Sequence, residues 1–216
     1  MMSRCHAHNF RLPSPRGASR PTRLSRSRVG SVRPVSGEHH LAPRRTVIDP
    51  AKGVLEVEWQ LFGELSRALA LKVSREFDPE LVVGIANAGV IPGATIASIL
   101  DRPFVSMAVS RRYRPDAQVR ETPAIFGEAP AAARGKRVLL VDETCDSGDT
   151  IRLAKAALVN VGAEVVRTAV GFRTGAFAPD YAAMSTEATI ILPWDRELLV
   201  NGDLVLNPAY APYLGA

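Results

Sequence analysis

The sequence predicts an α/β fold, a parallel twisted sheet flanked by helices, with a disordered N-terminal extension ahead of it. Three observations carry this. At 216 residues, with 46% hydrophobic and 23% charged side chains, the chain can bury one core of ordinary size and falls short of two full domains. Short apolar runs alternate with stretches whose apolar residues recur at steps of three and four, the pattern of parallel strands joined by crossover helices. The charge balance also changes sign near residue 45.

That change divides the chain into a leader, 1–45, and a folded domain, 46–216. The leader holds ten arginines and one acid, a net charge of +9, whereas the remaining 171 residues hold 17 bases and 21 acids, a net of −4. The overall charge of +5 therefore gives no reason to expect a nucleic-acid-binding domain. Rich in Arg, Ser and Pro and without apolar periodicity, the leader should build no core. Its composition overlaps with an organellar transit peptide, without the apolar run of a secretory signal. An unstructured upstream extension is an equal reading. An RNA-binding arm is a weaker one, because only Phe10 is interleaved with the arginines.

Within the domain, Leu55, Trp59, Phe62, Leu65, Leu69 and Val73 predict an amphipathic helix ending before Asp78-Pro79. Residues 81–85 read as a buried strand, 92–100 as a helix and 104–109 as the next strand. Residues 110–136, with Arg111, Arg112, Arg114 and Arg120 among Pro115, Pro123 and Pro130, read as a long functional connection. A strand at 137–141, a helix at 148–161 stopped by Gly162, and strands at 164–172 and 189–192 complete the pattern.

Composition also excludes function classes. His6, His8, His39 and His40 all lie in the leader, so the folded part runs no Ser-His-Asp or Cys-His hydrolysis and holds few kinds of zinc site. No apolar stretch approaches the roughly 18 residues of a membrane span, so no membrane association is expected. Cys5 and Cys145 cannot staple a fold and point to a reducing compartment, with the cytoplasm as the expected location.

The chemistry concentrates in residues 138–150, where an apolar strand ends in two acids, Asp142 and Glu143, and a small polar turn opens a helix. Such a turn aims successive amides, with the hydroxyls of Ser147 and Thr150, at one place suited to a phosphate dianion. No lysine follows the glycine, so a P-loop ATPase is disfavoured. Two acids beside one phosphate cradle describe a sugar phosphate. The competing reading is a plain helix cap by Asp146 or Ser147.

This segment resembles the phosphoribosyl pyrophosphate (PRPP) loop of type I phosphoribosyltransferases, in which two acids precede a turn of the form Asp-(Thr/Ser)-Gly-x-Thr; Asp146-Ser147-Gly148-Asp149-Thr150 matches it. The resemblance implies PRPP binding by Asp142, Glu143, Asp146, Ser147, Gly148, Asp149 and Thr150, the last turn residues through backbone amides. Asp149 offers only its amide, with its carboxylate turned outward. Ala86, Asn87, Ala88 and Gly89 fall where the family places its pyrophosphate loop, although many relatives carry a cation there. Residues 110–136 resemble the flexible loop that closes over PRPP.

Arg173 and Thr174 follow a strand where purine-specific relatives place a lysine. Pro193-Trp194-Asp195 resembles the Pro-Trp-Asp of xanthine and guanine phosphoribosyltransferases, with Thr189 replacing their stacking aromatic. The implied base contacts are Arg173, Thr174, Ile190 and Trp194, and the implied contact to Mg²⁺ or its water is Asp195. Asp146 is the implied catalytic residue, taking or sharing a purine proton. The expected function is Mg²⁺-dependent transfer of phosphoribosyl from PRPP to a purine base, as in purine salvage. The alternative is a non-catalytic PRPP-binding regulator. PRPP and a purine base are the expected partners, nucleic acid is not, and a homo-oligomer is compatible by analogy alone.

Overall fold

A computed structural model describes residues 52–112 and 119–214; the leader and the centre of the arginine-rich stretch lie outside the described residues. In chain order the elements are β1 (Val54–Glu56), α1 (Trp59–Glu76), β2 (Leu81–Ala86), α2 (Val90–Leu100), β3 (Phe104–Arg112), β4 (Val119–Phe126), a 3-10 turn (Ala131–Ala133), β5 (Arg137–Cys145), α3 (Asp149–Asn160), β6 (Val165–Arg173), β7 (Tyr181–Ser185), β8 (Thr189–Ile191), β9 (Glu197–Val200), β10 (Asp203–Leu206) and α4 (Ala211–Leu214).

Six strands form the central sheet in the order β4-β3-β2-β5-β6-β7. Only the β3–β4 pair is antiparallel. Side chains alternate across it: Leu81, Val83, Val138 and Leu140 pack with Ile151, Ala154 and Leu158 of α3. Val82, Leu139 and Val141 pack on the other face with Leu69 and Val73 of α1 and Ile96 of α2. Burial on both faces is why β2 and β5 read as unbroken apolar runs. Each fully buried aliphatic contributes about 1.5–3 kcal/mol.

The chain winds from β2 through α2 to β3 in one direction, and from β5 through α3 to β6 and β7 in the other. The carboxyl ends of β2 and β5 therefore flank the point where the winding reverses, where open α/β sheets bind ligands.

Several sequence expectations shift. Leu55 belongs to β1, which pairs in parallel with β8, and α1 starts only at Trp59 after an extended Glu58. The predicted strand at 189–192 is thus not a fifth strand of the main sheet. Helix α2 begins at Val90, leaving Pro92 within the first turn, where its missing N–H costs nothing. The stretch read as a long connection contains β4, whose Pro123 is tolerated because the strand lies at the sheet edge. Strand β7 was not anticipated. Nor was the β9–β10 hairpin, although Asn201-Gly202, at φ 52° and 98°, is the signature of a two-residue turn.

Candidate active site

Two loops meet at the reversal point. After β2, residues 86–89 turn sharply; the Ala86–Asn87 peptide is cis, and Gly89 donates to Ile85 O at 2.7 Å. A Cβ on Gly89 would strike the Val141 carbonyl and lie 2.9 Å from Asp142 Cα. The absent side chain is what lets this loop lie against the acidic end of β5. Gly84 and Gly93 back onto Phe104 in the same way, keeping α2 close to the sheet.

At the end of β5, Asp142 and Glu143 are both buried. Asp142 Oδ1 accepts from the Glu143 amide at 2.9 Å. Burial, then the neighbouring Glu143 charge, pushes the Asp142 carboxyl up to about 8. Glu143 borders a small apolar cavity of about 10 Å³ lined by Phe62, Leu69, Ile96, Phe172 and Trp194, room for one water at most and none for a purine. Cys145 is buried, and burial, with the Asp142 and Asp146 charges, pushes its thiol up to about 11. It stays protonated and offers no nucleophile near neutral pH.

The turn follows at once. Asp146 and Ser147 are exposed, Asp149 and Thr150 half-buried, and Gly148 is the N-cap of α3 at φ 78°. The N-cap glycine offers no side-chain bond, and the first helical amide, Asp149 N–H, donates to the Ser147 hydroxyl at a long 3.5 Å, so Ser147 caps the helix only weakly. The Ser147 hydroxyl donates to Asp149 Oδ2 at 2.9 Å. The Asp149 carboxylate is held from two sides, by Arg111 at 2.7 Å and Arg152 at 2.8 Å. With Ser147 first and Arg152 next, these partners hold its pKa below the usual carboxylate range. Arg152 also donates to Ser147 O at 2.7 Å and stacks 5.0 Å from the Phe177 ring centroid.

Segment 173–177 lies on the turn. Thr174 N–H donates to Cys145 O at 2.8 Å and its hydroxyl to the same oxygen at 3.3 Å, and Phe177 N–H donates to Asp146 O at 3.3 Å. The Phe177 ring covers Gly148, and Gly175 packs on the Asp146 carboxylate, in both cases with no room for a Cβ. Arg173 donates to Gly175 O at 3.1 Å and Ala176 O at 3.2 Å. Arg173 and Thr174 thus spend their polar groups holding this segment beside the turn.

The other base-site candidates pack in the apolar cluster around Phe172. Ile190, on β8, pairs with Leu55. Trp194 sits edge-on to Phe62 at 5.0 Å and tilted against Trp59 at 5.9 Å. Asp195 Oδ2 accepts from the Tyr210 hydroxyl at 2.9 Å, and its carbonyl from the Asn207 amide at 2.9 Å. Among the described residues no group of three or more His, Cys, Asp or Glu is placed to hold a metal. Sequence reasoning gave no role to Arg152 or Phe177 and no single role to Arg111. Only Arg152, three positions after Asp149 on one helix, carried a local signal.

The deciding match covers both loops. The family model described as the phosphoribosyl transferase domain matches residues 57–190. The chain belongs to the phosphoribosyltransferase family. It is similar to the xanthine-guanine phosphoribosyltransferase of Nitratidesulfovibrio vulgaris, 25% identical over 162 residues, 74% of this chain and 96% of that one. The adenine phosphoribosyltransferase of Nocardia farcinica is 31% identical over 100 residues, 43% of this chain and 52% of its own. Among solved structures, the purine phosphoribosyltransferase of Pyrococcus horikoshii superposes with a TM-score of 0.58 at 27% identity, covering 68% of this chain and 98% of that one. This phosphoribosyltransferase is accordingly an enzyme of the α/β type its sequence predicts. Among the described residues no helix is long and apolar enough to cross a membrane.

Proposed function

We propose that this phosphoribosyltransferase transfers the phosphoribosyl group of PRPP to a 6-oxopurine, giving a nucleoside monophosphate and pyrophosphate. The observation that carries the reading is the run from Asp142 to Thr150: two buried acids, then the exposed Asp146 and Ser147 leading into α3, at the sheet's reversal point. The N-terminal amides of α3 and the hydroxyls of Ser147 and Thr150 suit the 5′-phosphate. Asp142 and Glu143 suit the ribose hydroxyls, and residues 86–89 suit the pyrophosphate. The named activities of the similar proteins support purine as the acceptor.

The donor set fits Mg²⁺ that arrives with the diphosphate, since Mg²⁺ keeps waters and substrate phosphates among its ligands. A cation near Asp142 would also offset the burial, and after it the Glu143 charge, that raise this carboxyl's pKa. Asp195 is the carboxylate that would touch it or its waters, and bound there it would neutralise charge on the leaving group. The chain's own work is to orient the ribose and to hold the purine in line. Asp146, exposed beside the turn with Gly175 packed against its carboxylate, takes or shares the purine proton, an effect of about 10²–10⁴ in rate for such groups.

Incubation of the recombinant chain with PRPP, Mg²⁺ and hypoxanthine, guanine, xanthine, adenine, uracil or orotate tests this. Consumption of a 6-oxopurine is expected, and no consumption of any base overturns it. The second reading, a PRPP-binding regulator, draws on Arg173 and Thr174 being engaged by backbone carbonyls. Calorimetry showing PRPP binding without turnover would favour it.

A further inference from the structure

Asp149 stands out because it brings a negative charge into a turn shaped to receive a negative ligand. Its carboxylate lies 2.7 Å from Arg111 Nη2, 2.8 Å from Arg152 Nη2 and 2.9 Å from Ser147 Oγ. Two guanidinium groups and a hydroxyl around one anion are the set a phosphate monoester would use. Arg152 and Ser147 belong to the turn and its helix. Arg111 comes from β3, 38 residues away in sequence, where the β3–β4 register shifts between Ser110 and Arg112. A bulge of this kind re-aims a side chain, here across to the turn. Arg111 Nη2 also lies 3.4 Å from Ser147 Oγ, and its buried Nε donates to no acceptor among the described residues.

We propose that the Asp149 carboxylate is a built-in stand-in for the sugar's phosphate, and that Arg111 is the specificity-determining cation which the incoming phosphate takes over from it. The inference rests on the phosphosugar reading of residues 142–150 and adds a residue outside that run. When the phosphate arrives, Arg111 releases Asp149 and turns its fork, spare Nε included, to phosphate oxygens. Asp149 keeps Arg152 and swings outward, so the two anions do not share one cation. Before the ligand arrives, the carboxylate keeps two cations of the turn paired. Binding therefore exchanges one ion pair for another, and affinity falls short of what an unoccupied cradle would give.

Calorimetric titration of the full chain with ribose 5-phosphate tests this, alongside Asp149→Asn, Arg111→Gln and the double variant. Asp149→Asn is expected to bind several-fold tighter than wild type, because the competitor is neutral and its repulsion gone. Arg111→Gln is expected to bind about tenfold weaker, the usual scale for one charge-assisted bond. In the double variant most of the Asp149→Asn gain should vanish, since both act on one contact. Asp149→Ala and Arg111→Lys, with thermal melts, guard against misfolding: the first should also tighten binding, and the second should retain part of it. Wild-type binding that neither substitution changes, or weaker binding by Asp149→Asn and Asp149→Ala alike, overturns the handover and leaves the phosphosugar site standing. Absence of binding by both wild type and Asp149→Asn overturns the two together.

Discussion

Gly148 is held to glycine twice over. Its φ of 78° disfavours any side chain, and the Phe177 ring occupies the volume a Cβ would need. Gly148→Ala should cost about 1–3 kcal/mol by overpacking, read as a lower denaturation midpoint in urea. It should also raise KM for PRPP by loosening the turn. Phe177→Ala in the same chain should return part of the stability, because it removes the steric component and leaves the φ strain. Asp142 makes a second prediction at this scale. Its carboxyl is raised from 3.8 to about 8, so the folded state holds a proton that the unfolded chain releases between those values. Stability from this group is complete below about pH 4 and declines as pH rises towards 8. Asp142→Asn, neutral throughout, should therefore melt above wild type at pH 8, with the gap closing towards pH 4. A gap that widens on acidification would show that the acid is charged in the fold.

The elements show which features a sequence discloses. Strands β2 and β5 were legible because burial on both faces leaves continuous apolar runs, and the turn between β5 and α3 because the two acids and the polar turn lie within nine consecutive residues. Strand β7 and the separate β1–β8 pair were not, since a register depends on partners distant in sequence. The same holds at the site: the turn could be read, but Arg111 with Asp149 and Phe177 with Gly148 are joined only by the fold. Trp194 illustrates the ambiguity of a motif residue. Its ring closes an aromatic cluster with Phe62 and Trp59 that ties β8 and the following loop to α1. Trp194→Ala should cost about 3–5 kcal/mol, while Trp194→Phe should lose stability and leave KM for the base within about twofold, because the packing calls for an aromatic and no purine fits the cavity beneath. A KM rise of tenfold or more at full thermal stability would move Trp194 from the core to the base site.

Across the whole molecule, charge and chemistry separate. The 171 residues after the leader carry 17 bases against 21 acids, and each group assigned above to substrate lies among them, between Ala86 and Asp195. The ten arginines of residues 1–45, set against one acid, are what turn a net of −4 in the rest of the chain into an overall +5. Turnover should therefore not depend on them, whereas adhesion to polyanions should. Removal of residues 1–45 is expected to leave kcat and KM for PRPP within about twofold and the thermal midpoint unchanged. It should also abolish retention on heparin at low salt, a difference that shrinks as salt screens the contact. A sharp loss of kcat or of PRPP affinity on truncation would mean that the leader supplies part of the site. Retention on heparin surviving truncation would mean that a net charge of −4 conceals a basic face on the catalytic domain, and would reopen nucleic acid as a partner.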